Sequence, residues 1–286
     1  MMKRLLGRIP VAFLLGLIVA ETASSFLSAA LPESTPRHDR ITNSVGMDLV
    51  RIMPGTFLCY GHKVKAEFLF PQPAPFQVNI KQGFYIGAYE VTRQQYCDVM
   101  GGAGQRQNDP KHPMTGVNWH EAAEFCRRLS SLPAEKAAGR VYSLPTEREW
   151  QFAARAGSEY LFPYGSDDEQ RVAEVAVCRD PYSNSLPQGT SSVGARAPNA
   201  WGLYDVLGNA WEWVDDAWPA AAPANAVSPG PSSKSLGVGE NRVIVGGGWD
   251  NDFRMCNLAS RYSAPPTRKA DNIGFRVRCE IRGARQ

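Results

Sequence analysis

Two short stretches in the second half of the chain hold the side chains best suited to chemistry. The first is Trp249-Asp-Asn-Asp-Phe-Arg-Met-Cys256, which follows Val243-Ile-Val-Gly-Gly-Gly248 directly. A thiolate at Cys256 is a nucleophile or a soft-metal ligand, and neighbouring cations such as Arg254 and Arg261 lower a thiol's pKa. The same residue also reads as a buried or disulfide-bonded cysteine, the commoner fate in an exported protein. The second stretch is Gly208-Asn-Ala-Trp-Glu-Trp213. A carboxylate beside glycine and asparagine, in a loop with free carbonyls, suits a hard cation such as Ca²⁺. It also reads as a tight turn whose two tryptophans plug a core.

The familiar enzyme motifs are missing. His120-Glu-Ala-Ala-Glu124 begins like a zincin helix but has no second histidine, and four scattered histidines form no imidazole cluster. There is no G-x-S-x-G and no P-loop, and Gly237-Val-Gly239 lacks the third glycine of a dinucleotide fingerprint. No C-x-x-C occurs, which argues against a zinc ribbon or a thioredoxin-type motif. Together these absences remove the common catalytic classes.

The elements that position the two stretches are short. Val243, Ile244 and Val245 form a β-branched run that stops at three glycines, a strand delivered to a place where backbone must approach something closely. Phe275, Val277, Cys279 and Ile281 alternate with Arg276, Arg278, Glu280 and Arg282, which predicts a half-buried strand with Cys279 on its apolar face. Residues 45–57 read as strand, Pro54-Gly55 turn and strand, and residues 83–90 as an aromatic-rich strand. Residues 60–80 and most of 158–241 read as loop. Capping boxes at Thr92/Gln95, Asn118/Glu121 and Thr146/Glu149 open three short helices. The second turns Trp119, Ala122, Ala123, Cys126 and Leu129 inward. The third turns Trp150, Ala153 and Ala154 inward and ends at Gly157.

With 286 residues, 43% hydrophobic, and a net charge of +3, the chain has ordinary globular composition and no basic run that points to nucleic acid. Lys3, Arg4 and Arg8 precede an apolar stretch over residues 9–20, and Ser28-Ala29-Ala30 offers a cleavage site. This is the pattern of a signal peptide over residues 1–30, and the alternative is a retained anchor. Residues 31–42 read as a flexible lead-in and 43–286 as one domain. The expected product is periplasmic or secreted, with no stable membrane span after cleavage. Six cysteines in an exported chain suit disulfides, and their fifteen pairings stay open on spacing alone.

From about residue 43 onward, a series of motifs resembles the formylglycine-generating enzyme (sulfatase-modifying factor) family, in the family's order. They are Met53-Pro-Gly-Thr-Phe57, Tyr85-Ile-Gly-Ala-Tyr-Glu-Val-Thr92, Val117-Asn-Trp-His-Glu-Ala122 and Leu144-Pro-Thr-Glu-Arg-Glu-Trp-Gln-Phe-Ala-Ala-Arg155. Phe162-Pro-Tyr-Gly165, Pro198-Asn-Ala-Trp-Gly-Leu-Tyr-Asp205, residues 208–213, Gly246-Gly-Gly-Trp249 and Asn272-Ile-Gly-Phe-Arg276 complete the series. The resemblance implies an α+β domain, the family's loop-rich variant of the C-type lectin fold. It also implies a structural Ca²⁺ on the backbone oxygens of Leu207, Gly208 and Ala210 and the carboxylate of Glu212. A family disulfide maps onto Cys126–Cys279, while a second falls on Ala154 and Arg261, where both cysteines are missing together. Cys59, Cys97 and Cys178 have no family counterpart.

Family members that make formylglycine hold Cu(I) between two cysteines five residues apart. Here the second position is Cys256 and the first is Asn251, while the family's serine is Gly248. A neutral amide does not replace a thiolate at soft Cu(I), so the two-cysteine site is not intact at these positions. The resemblance therefore implies an exported oxidative maturation factor acting on a peptide or peptide-derived small molecule. The parallel is the periplasmic branch of the family that matures the siderophore pyoverdine. Cys256 would be the reactive group, Asn251 and Arg254 its neighbours, and Trp249 a wall of the cleft. The alternatives are a non-catalytic lectin-like binding module, with residues 249–272 as its surface, and formylglycine synthesis on a sulfatase through an altered metal site.

Overall fold

In the computed structural model, residues 39–59, 76–102, 109–166, 168–179, 187–218 and 241–282 are described. The stretch expected to be a signal peptide and nearly all of the expected lead-in lie outside them. Within residues 35–286, which form one unit, the chain builds three small sheets and a few short helices. No helix among the described residues is long and apolar enough to cross a membrane.

The largest sheet has five strands in the order β1 (Arg40–Thr42), β2 (Asp48–Ile52), β5 (Phe84–Gly87), β11 (Arg278–Ile281) and β6 (Arg140–Ser143), each antiparallel to its neighbour. The last strand of the chain thus closes between early ones. β1 reaches into the expected lead-in, so the ordered sheet begins before residue 43. A second sheet runs β10 (Ile273–Gly274), β7 (Trp211–Ala217), β8 (Arg242–Val245) and β9 (Arg261–Ala264), with only the β10–β7 pair parallel. β3 (Gly55–Cys59) and β4 (Phe76–Ile80) form a separate antiparallel pair.

Two loop expectations are corrected. Residues 76–80 are strand: Val78 and Ile80 are buried while Gln77 and Asn79 are exposed, a period of two masked by the prolines just before it. Residues 211–217 are strand too, because Trp211 and Trp213 find cores and buried Glu212 finds a cation. The expected strand at residues 275–281 is only half regular. Its chain leaves the second sheet after Gly274 and enters the first at Arg278, so Phe275, Arg276 and Val277 cross between the sheets. Arg276 is therefore fully buried rather than solvent-facing.

All three capping boxes form, opening α1 (Arg93–Met100), α2 (Trp119–Ser131) and α4 (Glu147–Arg155). In each, the cap side chain accepts from the N3 amide and the N3 side chain returns to the cap amide, which satisfies two otherwise orphaned donors. α2 buries Ala122, Phe125, Cys126 and Leu129; Trp119 is only half-buried and donates its Nε1 to Val214 O at 2.9 Å. α4 is buried nearly all round, from Trp150 to Arg155, and its C-cap is Ala156 at φ 49°, one residue before the expected glycine. Short helices α3 (Pro133–Ala137) and α5 (Val172–Val175) join the larger elements. One core lies under α2, around Phe125, Trp213, Phe275 and Cys279. The other lies against α4, around Trp150, Phe162, Leu207 and Cys256.

Candidate functional site

The glycines that end β8 let the chain fold back on itself. Gly246 and Gly247 sit at φ 94° and 85°, where a side chain is strained. A Cβ on Gly247 would lie 2.8 Å from Cys256 Sγ and 3.1 Å from Met255 O; one on Gly246 would press on Trp150 at 3.2 Å. The partner that this backbone approaches closely is thus Cys256 itself, returned by a single 3₁₀ turn over Phe253–Met255. Cys256 is wholly buried, and its Sγ donates to Gly248 O at 3.8 Å.

Asn251 is a bracket for this loop. Its Oδ1 accepts from Trp211 Nε1 at 2.6 Å and from Gly248 N at 2.9 Å, its amide donates to Gly248 O, and its carbonyl accepts from Arg179 N at 2.9 Å. Arg254 turns to Asp252, at 2.8 and 3.1 Å, and Arg261 pairs with Glu147 at 2.7 Å. The expectation that these arginines depress the Cys256 pKa is reversed. A hydrogen bond with the Cys178 thiol, then burial, then the charges of Cys178, Asp250 and Asp252 push the Cys256 thiol well up. Trp249 anchors the turn through its amide, which donates to Asn209 O at 3.0 Å. Its indole Nε1 is buried and finds no acceptor among the described residues.

Cys178 is the residue that spacing did not single out. Residues 177–179 lie in parallel pairing with two segments: Val177 bridges Gly208 and Arg179 bridges Asp252. Asn209 N donates to Val177 O (2.7 Å) on one side, and Phe253 N donates to Arg179 O (3.2 Å) on the other. Cys178, buried between them, comes within hydrogen-bonding reach of Cys256. Nothing in the loop-like sequence around Cys178 foretold this contact, because the pairing is entirely non-local.

The Gly208-Asn-Ala-Trp-Glu-Trp213 stretch folds as the tight turn. Asn209 takes φ 59°, and Glu90 reads the turn by accepting from Asn209 Nδ2 (3.1 Å) and Ala210 N (3.2 Å). Trp213 is buried and donates to Val117 O. Glu212 accepts from Arg276 Nε and Nη2, both at 2.7 Å, and from Trp150 Nε1 at 2.8 Å. Arg276 spends its other bonds on the carbonyls of Gly87, Tyr204 and Asp205. With a guanidinium on both oxygens, the Glu212 charge is already matched. Leu207, Gly208, Ala210 and Glu212 as they stand do not fit a calcium site. Burial, then the charges of Asp205 and Glu212, push buried Glu90 well above the usual carboxylate range, and burial raises Asp205 to about 6.

The cysteines carry free thiols throughout the described residues. Cys126 on α2 and Cys279 on β11, which the resemblance pairs, share the core under α2 as free thiols, and Cys279 Sγ donates to Glu280 O at 3.4 Å. Burial raises both thiols, Cys279 to about 11. Cys59 donates to Gln151 Oε1 at 3.0 Å, and burial raises it to about 12.

A family model described as the sulfatase-modifying factor enzyme 1-like domain matches residues 36–281. The formylglycine-generating enzyme of Bos taurus is 34% identical over 179 residues, 58% of this chain and 44% of that protein. The inactive C-alpha-formylglycine-generating enzyme 2 of Bos taurus is 28% identical over 185 residues, 61% of this chain and 52% of that one. The match thus spans about half the length of these curated relatives. Among solved structures, PvdO from Pseudomonas aeruginosa superposes with a TM-score of 0.69 at 24% identity, covering 87% of this chain and 100% of that one. The fold is the α+β arrangement of small sheets and short helices expected of this family, its variant of the C-type lectin fold.

Proposed function

The chain belongs to the sulfatase-modifying factor family, and from that premise we propose that it is an exported oxidative maturation factor for a peptide or peptide-derived molecule. A pyoverdine-type siderophore precursor is the substrate class that fits the resemblance. Cys256 is the reactive group. The observation that carries this reading is the effort spent around one thiol: left-handed Gly247 abuts Cys256 Sγ, Asn251 ties together Gly248, Trp211 and Arg179 in the loop that carries it, and the 177–179 segment brings Cys178 to it. A cysteine kept only for packing needs none of that. In this scheme Trp249 and Asn251 shape the loop, and Arg254 serves as an outer contact through Asp252. Asn251 is not a metal ligand, since its Oδ1 already has two donors.

The test compares the exported peptides and small metabolites of the host strain, a gene deletion and a chromosomal Cys256→Ala strain by untargeted mass spectrometry. The reading expects species lacking two hydrogens to be lost in both altered strains, with the unoxidised precursor accumulating. A Cys256→Ala strain indistinguishable from wild type, beside a deletion that differs, would sink it.

That second outcome is the one expected of a non-catalytic binding module, a reading favoured by the complete burial of Cys256. Formylglycine synthesis through an altered site is assayed on a Cys-x-Pro-x-Arg peptide, where aldehyde formation would establish it.

A further inference from the structure

The position that holds the first copper thiolate in formylglycine-forming relatives is Asn251 here, yet a second sulfur does reach Cys256 from elsewhere in the chain. We propose that Cys178 and Cys256 together form a two-thiolate site for Cu(I), with Cys178 acting in place of Asn251. This deepens the maturation reading and rests on it only for the use of the metal, not for its binding.

Three features of the pair carry the inference. The first is that Cys178 and Cys256 are buried in one core, and backbone pairing holds the 177–179 segment beside the loop that carries Cys256. The 177–179 segment is tied to Asn209 by the bond into Val177 O, and to Asn251 and Phe253 by the bonds through Arg179 N and O. The other thiols with a placed partner turn to oxygen instead, Cys59 to Gln151 and Cys279 to Glu280. The second is the donor set. Cys178 and Cys256 lie in a core with Leu161, Leu207, Phe253 and Leu258, and the oxygen hydrogen-bonded to Cys256 Sγ is the distant carbonyl of Gly248. Two sulfurs buried in an apolar core suit Cu(I), which is stable in linear two-thiolate coordination; Zn²⁺ wants four ligands and Ca²⁺ wants oxygens. The third is the cradle. Gly247 leaves no room for a side chain against Cys256 Sγ, so the backbone packs directly on the sulfur.

Loading is balanced without an external oxidant. Cu(I) replaces one proton on each thiol, giving a bis-thiolate complex of charge −1 and two protons released to solvent. The metal–sulfur bonds replace the thiol–thiol hydrogen bond and offset the cost of ionising two buried groups.

The experiment uses the full chain, purified reduced and without air, and titrates it with Cu(I) held by a chromophoric Cu(I) chelator. One equivalent of Cu(I) is expected to transfer, with X-ray absorption at copper reporting two sulfur ligands only. Cys178→Ser and Cys256→Ser should each lose that equivalent, while Cys97→Ser keeps it. Transfer to Cys178→Ser equal to wild type would overturn the assignment. So would nitrogen or oxygen ligands in the wild-type spectrum, a readout that survives even if the serine variants misfold. Alkylation and peptide mapping of protein taken directly from the exported compartment supplies a further check. A Cys178–Cys256 disulfide that mild reductant does not open would also overturn it. Copper binding with an unchanged Cys256→Ala metabolite profile would sink the maturation reading alone. A changed profile without copper binding would sink the metal site alone.

Discussion

Replacing Arg276 with methionine tests the reading of Glu212 as a counter-ion. The variant leaves Glu212 buried with only Trp150 Nε1 as donor, and it strips a donor from the carbonyls of Gly87, Tyr204 and Asp205. Removing one partner of a buried pair costs about 3–5 kcal/mol, because the other charge stays desolvated and uncompensated. For a domain of this size that is a Tm lower by about 10 °C. Glu212→Leu alone should cost a similar amount. The double variant should cost less than the sum of the two, since no buried charge is left behind. Thermal and urea unfolding followed by circular dichroism provide the numbers. Additive losses, or a loss under about 1 kcal/mol for Arg276→Met, would refute the pair as the organiser of the sheet crossing. The same samples address calcium. If Glu212 were a calcium ligand, Ca²⁺ at a hundred times its Kd would add about 2.7 kcal/mol, and chelator would remove it. The expected result is a wild-type Tm that chelator leaves unchanged.

Three further outcomes are expected. Asn251→Ala removes the acceptor shared by Trp211 Nε1 and Gly248 N; it should cost about 1–3 kcal/mol and speed the reaction of Cys256 with a thiol reagent, and an unchanged rate would mean that the bracket does not hold the loop. Gly247→Ala places a Cβ against Cys256 Sγ at φ 85°; unfolding should show a loss of about 1 kcal/mol or more, and a neutral result would contradict the close approach. Glu135 gives a pH dependence. Burial alone would raise its carboxyl, but bonds from Ser44 N (2.7 Å) and Tyr142 Oη (2.6 Å), with Arg140 at 3.3 Å, hold it below the usual range. A depressed folded pKa contributes stability above the unfolded value and loses it as pH falls through the folded one. Glu135→Gln should therefore flatten the acid side of the stability profile, and an unchanged acid slope would sink that assignment.

Features set by near neighbours in the chain were legible without a structure. Thr92/Gln95, Asn118/Glu121 and Thr146/Glu149 cap their helices because each box closes over four residues and needs no tertiary partner. The β-branched run ending at Gly246 announced a strand and a close backbone approach, though not what was approached. Where the partner is remote, the local pattern misled. Arg276 looks like a solvent-facing residue of an alternating strand and Glu212 like a loop carboxylate suited to a hard cation, and only the crossing between two sheets puts each on the other. Arg254 and Arg261 look like neighbours able to acidify Cys256, yet each is drawn off by a carboxylate, Asp252 and Glu147.

By itself, then, the sequence determined the family, the capped helices and the glycine-limited strand that presents Cys256, because these depend on short-range geometry and on motif order. Only the tertiary structure decided what Cys256 faces. The contact with Cys178 arises from parallel pairing of residues 177–179 with two segments, 208–209 and 251–253, that lie far along the chain. Such pairing leaves no periodicity to read, since its register is set by the packing of the whole domain.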